Sequence, residues 1–121
     1  MQKLLKSYPR RGEIYIADLN PAFGREIHKR RPVLIISNNI FNRHYPTVIM
    51  LPLSSIVPQF IGPDVVKISS FGGLDKESII LISQIRAIDK DRLIKKVGKI
   101  SEDQLAEVEE SLKLILGMIE I

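Results

Sequence analysis

The chain has 121 residues, 45% apolar and 26% charged, the balance of a single globular domain spanning 1–121, so disorder is excluded as the main state. It has no cysteine, which removes disulfides, thiolate zinc sites and a cysteine nucleophile; no apolar run approaches the roughly 18 residues of a membrane span, the leader MQKLLKSYPRR lacks a secretory h-region, and the expected address is the cytoplasm. The net charge of +4 is unevenly placed: residues 1–46 hold nine Lys/Arg against three Asp/Glu, residues 47–121 hold nine against eleven, and a basic front half beside an acidic tail suggests a polyanion-binding face.

After the basic leader, Gly12–Asp18 (GEIYIAD) puts Ile14 and Ile16 on one face and Glu13 and Tyr15 on the other, which is strand periodicity. Leu19–Arg31 (LNPAFGREIHKRR) is broken by Asn20-Pro21 and Gly24 and reads as a long loop, of a length that is usually functional when ordered. Pro32–Ser37 (PVLIIS) reads as a strand buried on both faces, with its proline confined to the opening position. Asn38–Pro46 is turn-rich. Thr47–Leu53 (TVIMLPL) is a second apolar strand, and Ser54–Pro63 is a polar loop.

Val65–Ser69 reads as a short strand, Phe71–Asp75 (FGGLD) as a turn and Ser78–Ile88 as one long strand. In that last strand Ile82, Gln84, Arg86 and Ile88 share a face of mixed polarity, which hints at a groove. Ser101–Gln104 forms a capping box with acids in the first turn. Leu105, Val108, Leu112, Ile115, Leu116 and Ile119 then make an apolar stripe, so the helix is expected to run over Ser101–Ile119, extending the core or meeting another subunit. The sum is five or more short strands followed by an amphipathic helix: a mainly β fold, a small antiparallel barrel with a helical appendix.

His28 and His44 have no carboxylate at ligand spacing, so no metal site is expected, and no Gly-rich phosphate loop or nucleophile elbow is present. What remains is Arg25–Arg31 (REIHKRR), whose cations suit phosphate contacts. Arg31 stands directly before the strand Val33–Ile36, so its guanidinium is carried on a rigid element, as stabilisation of charge on a phosphoryl group requires. Ser54 ends the strand Thr47–Leu53. If the two strands are antiparallel neighbours, Arg31 and Ser54 fall at the same end of the pair.

The series Gly12-Glu13-Ile14-Tyr15, Pro21, Gly24, Glu26 and Arg31-Pro32-Val33-Leu34-Ile35-Ile36-Ser37, with Asn42-Arg43, Pro46-Thr47, Ser78-Ile79-Ile80-Leu81 and Gln84-Ile85-Arg86-Ala87-Ile88-Asp89, resembles the MazF/PemK toxins of bacterial toxin–antitoxin systems. The resemblance covers nearly the whole chain from about Arg11. It implies an SH3-like (PemK-like) antiparallel barrel with a C-terminal helix, a homodimer, and a cofactor-free and metal-independent endoribonuclease that cuts single-stranded RNA, chiefly mRNA, to leave a 2′,3′-cyclic phosphate and a 5′-hydroxyl. It also implies a cognate antitoxin; the short apolar runs, not the resemblance, argue against a membrane partner.

The family's catalytic arginine falls on Arg31 and its catalytic hydroxyl, usually a threonine, on Ser54, a departure that keeps the hydroxyl and loses the methyl. Glu26 matches a glutamate near the site and Gln84 a position that touches bases. Arg25, Lys29 and Arg30 are expected to hold flanking phosphates and Phe23 to offer a stacking surface, while His28 lies outside the matched positions and no general base is assigned. The competing readings are a non-catalytic nucleic-acid-binding module of the same fold and a gyrase-poisoning toxin of similar barrel.

Overall fold

The computed structural model describes residues 7–69 and 76–120. The turn expected at Phe71–Asp75 lies outside the described residues. Strands β1 (Glu13–Asp18), β2 (Arg30–Ile35) and β3 (Thr47–Ser54) are joined in antiparallel register, with Ile14 opposite Leu34 and Leu34 opposite Leu51. The remaining strands are β4 (Val65–Ile68), β5 (Ser78–Leu81), β6 (Arg86–Asp89) and β7 (Leu93–Lys99), in the order β4-β5-β3-β2-β1-β7 with β6 also paired to β3. A short helix α1 (Asn39–His44) and the C-terminal helix α2 (Glu102–Ile115) complete the described chain.

The alternation of β2 and β3 splits the core in two, as the continuous apolar runs require. Leu34, Leu51 and Leu53 join Ile14, Ile80, Ile82, Ile100 and Val108 beneath α2. Val33, Ile35, Val48 and Met50 join Ala17, Leu19 and Ile88 on the opposite face, where Ile27 from the long loop packs over them. Gly12 starts the sheet at φ +90°, donating to the Ile35 carbonyl at 2.7 Å and accepting from the Ile100 amide at 3.0 Å. That left-handed backbone is open to glycine at little cost.

Five features differ from the sequence expectation, the last being the end of α2. Asn38–Pro46 holds a helix: the Asn38 side chain caps it by accepting the Phe41 amide, and the rings of Phe41 and Tyr45 stack with centroids 4.4 Å apart. Arg30, Arg31 and Pro32 are inside β2, opposite Asp18, Ala17 and Ile16. The β2–β3 ladder begins at Val33, directly after the residue that has no N–H to give it. Ser78–Ile88 is two strands around a 3₁₀ turn at Ile82–Gln84. Leu53 pairs with Ile80, so an unbroken strand would set Ser83 against Met50, yet Met50 faces Arg86. The turn has absorbed three residues.

The fourth feature is β7, an edge strand missed because Lys95, Lys96 and Lys99 hide its pattern; lysine-rich edges resist pairing with other chains. It binds β1 through the buried carboxylate of Glu13, which meets Lys96 Nζ at 2.6 Å, the Arg10 amide at 2.7 Å and the Tyr15 hydroxyl at 3.3 Å. Burial alone would raise the Glu13 carboxyl, but these donors and the lysine charge outweigh it and hold it below its ordinary value. Burial and the neighbouring Glu13 charge push the Tyr15 phenol up to about 12.

Helix α2 starts at the expected cap, Ser101 accepting from the Gln104 amide, and stops at Ile115, short of Ile119. Gly117 at φ +73° turns the chain; its amide donates to Leu114 and that of Met118 to Lys113, a Schellman closure. Val108 is fully buried, Leu105 and Leu112 pack beside it, and Ile115, Leu116 and Ile119 face outward. Arg11 ties the helix to the sheet, donating to Glu109 at 2.6 Å and to the Ile36 carbonyl at 3.0 Å. Among the described residues, no helix is long and apolar enough to cross a membrane.

Candidate nucleic-acid interface

Arg31 and Ser54 stand at one end of the β2–β3 pair. The register Ile35–Met50, Leu34–Leu51, Val33–Pro52, carried two residues further, sets Arg31 opposite Ser54. Residues directly opposite in an antiparallel pair point to the same face, and for these two it is the face of Val33, Met50 and the second core cluster. Pairing with Ala17 fixes the Arg31 backbone, and its Nε donates to the His28 carbonyl at 2.7 Å. That bond fixes one edge of the guanidinium and leaves the terminal nitrogens to a ligand. Ser54 is 8% exposed, paired with Ile79 on its other side, and its Oγ accepts the Ile56 amide at 3.2 Å. Accepting that bond leaves its hydroxyl hydrogen to donate.

The loop between β1 and β2 crosses this face on anchors that are largely backbone. The Leu19 amide donates to the Lys29 carbonyl at 3.0 Å, and the Lys29 amide, at φ +73°, donates to the Asn20 side chain at 3.1 Å. Arg92 Nη1 donates to the carbonyls of Asp18 and Asn20 at 3.1 and 2.6 Å. Gln84, in the 3₁₀ turn, accepts the Ile27 amide at 2.7 Å and donates to the Arg25 carbonyl at 3.5 Å. Glu26 accepts the Phe23 amide at 2.6 Å while its own amide donates to the Phe23 carbonyl, closing a turn at the loop tip.

The loop therefore presents Phe23, which is 88% exposed, with Arg25, His28, Lys29 and Arg30 all outward. Ion pairs among the described residues join Arg11 to Glu109, Lys67 to Glu77, Lys96 to Glu13 and Lys113 to Glu110, and they leave the loop cations unneutralised. Between the loop and the turn before β6 lies a cleft of about 350 Å³ lined by Arg25, Glu26, Ser83, Gln84, Ile85 and Arg86. Arg86 Nη1 is buried there without a hydrogen-bond partner in the protein.

The structure places the sequence-predicted Arg31, Ser54, Glu26, Gln84 and loop cations on one side of the molecule, of which sequence reading had put only Arg31 and Ser54 together. That reading missed two residues. Arg92, which braces the loop entrance, carries no local pattern. Arg86 shared a face with Gln84 in the expected strand, and only the inserted turn separates their duties.

A family model described as PemK-like, MazF-like toxin of type II toxin-antitoxin system matches residues 10–116. The chain is 38% identical over 112 residues to the endoribonuclease EndoA of Bacillus subtilis (strain 168), covering 92% of this chain and 97% of that protein. Among solved structures it is similar to MazF from Deinococcus radiodurans, with a TM-score of 0.82 and 26% identity over 93% of this chain and 99% of the other. It is also similar to an endoribonuclease in complex with its cognate antitoxin from Mycobacterial species, with a TM-score of 0.75 and 25% identity over 93% and 99% of the two chains. A seven-stranded antiparallel sheet with a C-terminal helix, a loop of unneutralised cations and these matches agree: the chain belongs to the PemK-like, MazF-like toxin family.

Proposed function

We propose that this chain is the endoribonuclease toxin of a toxin–antitoxin system, cutting single-stranded RNA with Arg31 and Ser54 as its catalytic residues. The observation that supports the reading is the β2–β3 register, which, continued two residues past its last pair Val33–Pro52, brings these two residues to one face at the end of both strands. RNA brings its own nucleophile. The ribose 2′-hydroxyl gives up its proton as its oxygen bonds to the adjacent phosphorus, the bond from phosphorus to the 5′-oxygen breaks, and that oxygen takes up a proton and leaves as a hydroxyl, so protons balance. The products are a 2′,3′-cyclic phosphate and a 5′-hydroxyl.

Attack adds negative charge to the phosphoryl oxygens, so the protein's part is alignment and charge stabilisation by donors fixed beforehand. Arg31, held by Ala17 and the His28 carbonyl, offers its terminal nitrogens to that charge; Ser54 offers its hydroxyl hydrogen. Arg25, Lys29 and Arg30 hold flanking phosphates, and Phe23 stacks an unpaired base. The chemistry requires no metal, because neither the nucleophile nor the charge stabilisation depends on one. An antitoxin with an acidic segment neutralises the toxin by covering the same cations, and the working form is a homodimer in the cytoplasm.

Incubating the purified protein with a long RNA in EDTA and mapping fragment ends tests this reading. Discrete fragments with cyclic phosphate and 5′-hydroxyl ends are expected. Intact RNA that is still bound would favour a non-catalytic binding module, and intact RNA with inhibited DNA supercoiling would favour a gyrase poison.

A further inference from the structure

Arg86 opens β6 in a row with Ile35 and Met50, on the same face as Arg31 and Ser54. It reaches that row because the 3₁₀ turn shifts the register by three residues; without the shift, Ser83 would take its place. Its Nη1 is buried with no partner, although buried donors are nearly always satisfied in native proteins and each orphan calls for an explanation.

The cleft around it supplies the explanation. Of the acceptors lining the cleft, Glu26 Oε1 is spent on the Phe23 amide and Gln84 Oε1 on the Ile27 amide. Glu26 Oε2 and the Ser83 hydroxyl also line the cleft without a protein partner, but two guanidiniums, of Arg86 and Arg25, stand against that one carboxylate, and the balance favours an acceptor-rich anion. Arg31 and Arg86 lie four residues apart along the strands and two strands apart across the sheet, about 16 Å between Cα atoms from strand rise and spacing. Each side chain is also committed to its own end, Arg31 by the His28 carbonyl and Arg86 by burial in the cleft.

We infer that Arg86 binds an RNA phosphate other than the one that is cut, its guanidinium turning Nη1 out of its buried position to meet a phosphate oxygen and so fixing the strand's path across the face. This rests on the ribonuclease reading above. It makes Arg86 a substrate-binding residue for the backbone.

A single-stranded RNA with 2′-O-methyl riboses throughout, which lacks the attacking hydroxyl, provides the probe. Its dissociation constant is measured across a salt series for wild type, Arg86→Gln and Arg86→Lys, with EDTA cleavage of ordinary RNA run in parallel. Arg86→Gln is expected to bind roughly tenfold or more weakly, as for loss of a charged hydrogen bond. The slope of log affinity against log salt should also shrink by about 0.7, as for one released counterion on a single strand.

Arg86→Lys should keep the slope. Arg86→Met should melt no lower than wild type, since it deletes a donor that has no partner in the protein. An unchanged slope in Arg86→Gln, beside normal wild-type cleavage, would overturn the inference and leave the ribonuclease reading standing; so would a collapse in melting temperature. A wild type that neither cleaves nor binds would overturn both.

Discussion

The side-chain carbonyl of Gln84 accepts the Ile27 amide at 2.7 Å across 57 positions of sequence, pinning the middle of the basic loop to the turn between β5 and β6. Removing that acceptor should free the loop without touching the core. Gln84→Ala is expected to raise KM severalfold and to speed hydrogen exchange at Ile27, with a local cost of about 1–3 kcal/mol for an amide left unpaired. Gln84→Glu keeps an acceptor and should keep the protection. Equal KM for wild type and the alanine variant would show that the loop holds its shape without the tether.

Arg31 carries the heaviest catalytic duty in the proposed mechanism. Arg31→Ala should lower cleavage at least 10²–10³-fold, the usual loss for a donor to developing charge. Because the side chain is partly exposed and its strand is held by Ala17, stability should change by no more than about 0.5 kcal/mol. Fragment mapping and thermal melting check both halves; undiminished cleavage would remove Arg31 from the site.

Ser54 invites a pair of substitutions. Ser54→Ala removes the hydroxyl and should reduce kcat by about 10²–10³-fold with KM little changed, the pattern of an interaction made in the transition state. Ser54→Thr keeps the hydroxyl and stiffens its rotamer, so it should cleave at least as fast as wild type. Single-turnover rates on one short RNA decide between them.

Stability should carry two pH signatures from one cluster. Tyr15 ionises from about pH 10 in the unfolded chain but only near 12 in the fold, so the unfolded state gains first and stability falls as pH rises from 10 towards 12. Tyr15→Phe should flatten that limb. Glu13 works in the opposite direction: its depressed carboxyl favours the fold above its ordinary value of 4.5, and that contribution is lost as pH falls through the lowered one. Denaturant melts at pH 3–5 and pH 9–12 would show both limbs, and an alkaline limb unaltered in Tyr15→Phe would contradict this account.

Much of this molecule could be read from the chain because burial on both faces leaves an unmistakable mark. The runs Val33–Ile36 and Thr47–Leu53 located the central strands, and Ser101 with Gln104 located the start of α2. Arg31 and Ser54 followed, since each flanks one of those runs. What escaped depends on pairing between distant residues. Alternation continues unbroken through Ile82–Gln84, and only the switch of β3 from β5 to β6 shows where the strand must yield. The isolation of Arg86 Nη1 arises from that switch, and β7 is a strand only because β1 lies beside it.

The loop over the site is tied down mainly at peptide groups, through Leu19, Ile27, Lys29, the Arg25 and His28 carbonyls and the carbonyls that meet Arg92. Phe23, Arg25, Lys29 and Arg30 consequently owe their side chains nothing to the scaffold. Phe23, Arg25 and Arg30 can therefore change at little cost to the fold, whereas Lys29, at φ +73°, is confined to residues that accept a left-handed backbone.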